Sequence, residues 1–132
     1  MSIVIDANIA IAWFRPTPSK LAEAALEELS KEGAVVPALW RWEVQDVLRR
    51  LSDTGHLKIP VEDALEEIRQ LPISIDADAP FGLFGSELVL ARRHDLSVYD
   101  AAYLDVSVRH HMRLATIDKQ LAAAAKSAGL SF

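Results

Sequence analysis

Apolar residues along the chain fall alternately into short unbroken runs and longer stretches of helical spacing. Ile3-Val4-Ile5 is a run of three β-branched residues that stops at Asp6-Ala7-Asn8. Such a run suits a strand buried on both faces, as in a parallel sheet, better than a strand with one wet face. Ile9 to Phe14 reads as a short helix or turn, stopped by Pro16 and Pro18. Ser19 fits an N-cap for a helix over Lys20 to Lys31, with Leu21, Ala24, Ala25 and Leu29 as its apolar face and Gly33 just past its end. Ala34-Val35-Val36 is a second strand closed by Pro37. Leu39 to about Asp53 is the next helix, ending at Gly55, and its Trp40, Val44, Val47, Leu48 and Leu51 recur at the spacing of a buried face. Val61 to Leu71 is a third helix, opened by Pro60.

The second half repeats the alternation. Ile73-Ser74-Ile75 reads as a strand, Pro80 to about His94 as a helix weakened at its start by Gly82 and Gly85, and Ser97 to about His110 as another helix. Arg113 to Ile117 is a strand running to Asp118, Leu121 to Ala128 a helix ended by Gly129, and Leu130-Ser131-Phe132 a candidate edge strand. Alternating β and α elements without a linker or repeat predict a single domain over residues 1–132, a three-layer α/β/α fold with a mainly parallel central sheet.

Composition narrows the function classes. No stretch approaches the ~18 apolar residues of a membrane span, and the N-terminus has no basic leader, so the expectation is a cytoplasmic protein without a membrane contact. The chain has no cysteine, which removes disulfides and thiolate metal sites. A net charge of -5 argues against attraction of nucleic acid by the whole surface, but leaves room for a local basic patch or a bound cation.

Four carboxylates stand out. Asp6 and Asp118 each follow a predicted strand, and ligands of open α/β sheets bind outside the carboxyl ends of strands. Either residue alone also fits the N-cap of the helix that follows. Glu43 lies about 90° from the centre of its helix's apolar face, at the border of the buried stripe between Trp40 and Trp42. Asp100 closes Ser97-Val98-Tyr99-Asp100, which fits a capping box and suits the helix dipole. Asp105 lies about 140° around that helix from Asp100 and receives no role; Asp46, Asp76 and Asp78 read as surface or capping residues. Four carboxylates in one pocket repel unless protonated or gathered around cations. Hard oxygen donors without Cys point to Mg²⁺, with Mn²⁺ as a substitute, and such an ion suits phosphodiester hydrolysis. Asn8 and Thr116 are candidates to hold the acids or a water, or simply to close local turns.

The segments Ile3-Val4-Ile5-Asp6-Ala7-Asn8, Glu43-Val44-Gln45-Asp46-Val47-Leu48, Tyr99-Asp100-Ala101-Ala102-Tyr103-Leu104 and Leu114-Ala115-Thr116-Ile117-Asp118-Lys119-Gln120-Leu121 together resemble a PIN-domain ribonuclease, and more narrowly the VapC toxins of toxin–antitoxin pairs. The likeness spans nearly the whole chain. It implies Mg²⁺-dependent endonucleolytic cleavage of RNA, with Asp6, Glu43, Asp100 and Asp118 as catalytic and metal-binding residues. It also implies neutralisation by a VapB-like antitoxin and a homodimer. Asp46 departs from the pattern, which more often has Asn there.

Several surfaces remain open on the residues alone. Arg41, Arg49 and Arg50, Arg92-Arg93, and Arg109 with His110, His111 and Arg113 are basic groups that could follow RNA phosphates or complement helix ends. Trp13, Phe14, Trp40 and Trp42 could line a groove for an antitoxin helix or pack the core. Two other classes compete. A haloacid-dehalogenase-like phosphatase wants Asp-x-Asp where this chain has Asp6-Ala7-Asn8; a non-catalytic binding module would have no need of the acidic quartet.

Overall fold

A computed structural model describes residues 1–77 and 83–132. Among them are four strands, each followed by a pair of helices except the last, which is followed by one: β1 (Ile3–Ile5), α1 (Ala7–Ala12), α2 (Lys20–Glu32), β2 (Ala34–Val36), α3 (Leu39–Asp53), α4 (Val61–Arg69), β3 (Ile73–Ile75), α5 (Glu87–His94), α6 (Val98–His110), β4 (Leu114–Ala115) and α7 (Lys119–Ser127). The strands form one parallel sheet in the order β3-β2-β1-β4. Helices cover it as the outer layers of an α/β/α sandwich, with α2 against β1 and β4, α6 against β1, β2 and β4, and α5 on α6. This is the predicted architecture.

β1 lies inside the sheet, paired to β2 on one side and β4 on the other, and its three residues are fully buried. Helices on both faces explain why Ile3, Val4 and Ile5 are all apolar rather than alternating. The first half of the chain builds outward from β1 through β2 to β3, and β4 then returns to the opposite side. The seam between β1 and β4 is therefore where strand order reverses, the place at which α/β sheets open a crevice beyond their strand ends.

Some boundaries differ from the sequence expectation, for identifiable reasons. α1 starts at Ala7 rather than Ile9 because the Asp6 carboxylate accepts the Ile9 N–H at 3.1 Å and caps the helix. In α2 the buried positions are Ala22, Ala25 and Leu29, while Ala24 is exposed; the Trp13 indole N–H, donated to the Ala22 carbonyl at 2.8 Å, ties that side of the helix to the end of α1. β4 ends at Ala115 rather than running to Asp118. Thr116 breaks the ladder, since its hydroxyl accepts the Asp118 N–H at 3.0 Å in a local turn. Gly85 precedes α5, whose described turns begin at Glu87; the expected start at Pro80 and the reading of Asp78 lie outside the described residues. The predicted C-terminal edge strand is reduced to one bridge, Ser131 beside Leu114. Gly33, at φ +85°, ends α2 in a conformation that disfavours any side chain, and a Cβ there would stand 3.2 Å from the Ser2 hydroxyl.

Asp76 is not the surface residue the sequence suggested. Its carboxylate is largely withdrawn from water, accepting from the Arg109 guanidinium and from His110 Nε2 at 2.9 Å, while Arg109 Nε also donates to buried Asp105 at 2.9 Å. The cluster joins the end of β3 to the last turn of α6, and it supplies the role that Asp105 lacked. Arg109 holds its proton even more firmly than usual because of the Asp76 hydrogen bond and the Asp105 carboxylate. Removing one partner of a shielded ion pair strands the others. Asp76→Ala is expected to cost about 2 kcal/mol, a figure kept below the range for fully buried pairs because Arg109 retains contact with water. Arg69→Ala, which breaks only an exposed pair with Glu66, should cost about 0–1 kcal/mol; urea unfolding of the two variants measures the difference.

Candidate functional site

Asp6 occupies the first position after β1, and the fold leaves it only 5% exposed. Its Oδ1 accepts the Ile9 N–H, and its Oδ2 accepts a hydrogen bond from the Thr116 hydroxyl across the β1–β4 seam. The register pairs Ile5 with Ala115, so Asp6 and Thr116 follow their strands side by side. Thr116 in turn accepts the Asp118 N–H, and Asp118 Oδ1 accepts the Leu121 N–H at 2.9 Å as the N-cap of α7. A hydrogen-bonded chain thus runs from Asp6 through Thr116 to the backbone of Asp118. Both aspartates cap their helices, as the plain reading of the sequence allowed, and Thr116 links the one to the backbone of the other.

The other two acids come from α3 and α6. Asp100 sits in the first turn of α6, where its N–H is capped by Ser97 Oγ at 3.0 Å. Glu43 is half-buried on α3 and accepts from Tyr103 Oη at 2.7 Å. Several of these carboxylates sense one another. Burial pushes the Asp6 carboxyl up to about 6, against its Thr116 and Ile9 hydrogen bonds, and the negative charges of Asp100 and Asp118 add to the rise. Burial also raises the Glu43 carboxyl, with Asp100 contributing, and raises that of Asp100, with Asp118 contributing. Asp6, Asp100 and Asp118 thus lie in electrostatic reach of one another near the carboxyl ends of β1 and β4, and Glu43 is coupled to this group through Asp100. Among the described residues, no three or more acid or histidine side chains stand close enough together to hold a metal ion as they are placed.

Asn8 is exposed and lines an open groove of about 260 Å³ together with Ile11, Ala12, Arg15, Ile117 and Asp118. Three features of this region escaped the sequence reading. Tyr103 approaches Glu43 from inside the core, and its position three residues after Asp100, on the same helix face, is the signal that could have exposed it. Arg15 stands in the groove beside Asp118. The Trp40 indole donates to the Asp6 carbonyl at 3.3 Å, so this tryptophan buttresses the acid from below.

The aromatics and basic groups divide. Phe14 and Trp40 are core residues, Trp13 packs its edge on Phe14, and Trp42 is exposed with Arg41 stacked over its ring at 4.7 Å. Arg49 and Arg50 pair with Asp46, and Arg49 with Asp53 as well; Arg113 pairs with Glu28 and covers the Phe132 ring. Asp46 is thus engaged along its own helix.

The shift at Asp6 has a calculable effect on stability. The unfolded chain releases this proton near 3.8, whereas the folded chain holds it to about 6. The protonated folded form is favoured at low pH, and that contribution disappears as pH rises through the folded value. A shift of about two units corresponds to ~3 kcal/mol. Asp6→Asn is neutral throughout, so in EDTA it should gain about 1–3 kcal/mol on the parent protein as pH is raised from about 4 to about 7. Urea unfolding across that interval tests it; parallel pH profiles for the two proteins would contradict the burial argument.

Comparison with known proteins agrees with the fold. The PIN domain profile matches residues 3–127. Ribonuclease VapC3 of Mycobacterium tuberculosis, from strains CDC 1551 / Oshkosh and H37Rv, is 30% identical over 131 residues, covering 96% of this chain and 89% of the relative. The crystal structure of PAE2754 from Pyrobaculum aerophilum superposes with a TM-score of 0.72 at 19% identity, over 100% of this chain and 88% of that one, a likeness of fold. The chain belongs to the PIN domain family, as a VapC-like member.

Proposed function

We propose that the protein is a metal-dependent endoribonuclease, the toxin of a toxin–antitoxin pair, acting in the cytoplasm. The observation that carries this reading is the link of Asp6 to the backbone of Asp118 through Thr116 at the β1–β4 switch point, with Asp100 in electrostatic reach of both and Glu43 in reach of Asp100. Asp6 there is desolvated, held by Thr116 and pushed towards its neutral form by its acidic neighbours. Carboxylates so placed are stable as anions only beside a cation. Their donors are all oxygen, which fits Mg²⁺ or Mn²⁺. Mg²⁺ keeps several waters and is bound through one or two carboxylates plus substrate phosphate, so a closed protein cage is not required.

Asp6 and Asp100 are the first choice as ligands, with Glu43 and Asp118 completing the site directly or through water. Bound there, the ion would supply charge for the phosphodiester oxygens and a more acidic water. The chain's own residues do the rest. Thr116 fixes Asp6 and the turn that carries Asp118, while the Trp40 indole and β1 hold Asp6 from behind. Asn8 and Arg15 line the adjoining groove, where a phosphate next to the scissile one would find an amide and a positive charge. The VapC3 likeness supports RNA as the substrate and a VapB-like antitoxin as the partner. Exposed Leu83, Phe84, Leu88 and Val89, clustered before and within the first turn of α5, favour a further apolar contact such as a homodimer.

RNA cleavage with Mg²⁺ or Mn²⁺, and its loss in EDTA, tests the proposal directly. Asp6→Asn and Asp100→Asn are each expected to lower the rate by at least ~100-fold while the circular dichroism spectrum is retained, a loss in the range found when transition-state electrostatics are removed. Near-normal cleavage by purified Asp6→Asn would sink the assignment.

A further inference from the structure

Tyr103 is 1% exposed in the middle of α6, surrounded by the core, yet it carries a hydroxyl. A phenylalanine would fill the same space without needing a partner for a buried polar group. The hydroxyl has its partner in Glu43 Oε1, 2.7 Å away on α3 and sixty residues distant in the chain. Glu43 is half-buried, and the bond offsets part of the burial that disfavours its charge. What the bond removes is freedom. A glutamate on a helix edge has several rotamers, and a donor fixed in the core selects one of them. Tyr103 also sits one turn beyond Asp100 on the same helix face, so it ties the position of Glu43 to the element that carries Asp100.

Resting on the nuclease reading above, we infer that Tyr103 is a positioning residue that holds Glu43 rigid, and thereby sets the preference of the acidic site for small octahedral cations over Ca²⁺. The physical basis is the difference between the ions. Mg²⁺ demands oxygen donors in near-ideal octahedral positions and the similarly small Mn²⁺ favours six, whereas Ca²⁺ accepts six to eight oxygens in flexible arrangements. A swivelling Glu43 therefore costs the small ions more than it costs Ca²⁺. Partners that orient a metal ligand from behind are commonly worth about 10–100-fold in metal affinity.

The test is calorimetric titration of the EDTA-treated, dialysed full chain with Mn²⁺ and, separately, with Ca²⁺, in the absence of RNA. Tyr103→Phe should weaken Mn²⁺ binding about 10-fold and Ca²⁺ binding by less than about 3-fold. In a Glu43→Gln background the same change should alter Mn²⁺ affinity by less than about 2-fold, because the tyrosine acts through the carboxylate. Glu43→Asp leaves the core intact and withdraws the carboxylate from the hydroxyl, so it keeps the inference testable if Tyr103→Phe fails to fold; it too should narrow the Mn²⁺ to Ca²⁺ ratio. Equal weakening of both cations, no change in either, or a full loss persisting in Glu43→Gln would overturn the inference while leaving the nuclease reading in place. A parent protein that binds neither cation would overturn both.

Discussion

The hydrogen bond from Thr116 to Asp6 crosses the seam on which the molecule turns. It forms only because β1 and β4 run side by side in register, and that pairing in turn requires the chain to reverse its order of sheet building after β3. β1 must be apolar on both faces to sit inside the sheet, so the first residue free to be polar is the one just beyond it. There the chain places an acid that is almost completely withdrawn from water. Two hydrogen bonds favour its charged form, but burial and two acidic neighbours outweigh them. Folding alone leaves the electrostatics unresolved at this point, whereas elsewhere in the described structure the shielded acids, Asp76 and Asp105, have their counter-charges built in. That contrast separates the acids kept for architecture from the acids we propose as ligands of a cation.

The fold was largely readable because its signals are local. Three β-branched residues in a row, helical spacing around Trp40 and Leu48, and caps such as Ser19 and Ser97 depend on neighbours in sequence. The acids proposed for the site stood out for the same reason, each lying at a strand end, a helix start or the rim of an apolar stripe. What escaped was set by contacts distant in the chain. Asp76 looks like any loop aspartate until the end of α6 folds over it. Tyr103 looks like one more large core residue until α3 brings Glu43 to its hydroxyl. The end of β4 was misplaced because Thr116, a good strand former, spends its hydroxyl on a turn.

The basic residues teach a related lesson about charge. Counting arginines on α3 suggested a face for phosphate, yet Arg49 and Arg50 are paired with acids on their own helix, Arg113 is shared between Glu28 and Phe132, and Arg109 serves the Asp76 cluster. With acids in excess over the chain, most clusters of positive charge find internal company. Location separates Arg15 from these paired arginines: isolated in sequence among Phe14, Pro16 and Thr17, it lines the groove that Asp118 also lines.

The brevity of the strands has its own consequence. β3 forms one border of the sheet and β4 the other, and they are three and two residues long. Leu130 and Ser131 already lie along the free side of Leu114, where the Leu114 N–H is donated to the Leu130 carbonyl at 2.8 Å. The opposite border offers a foreign strand only a few ladder positions before Pro72 on one side and the charged Asp76 cluster on the other. A sheet with so little open border makes a poor template for edge-to-edge growth. The molecule can therefore leave apolar side chains such as Ile75 partly uncovered there without inviting fibrous self-association.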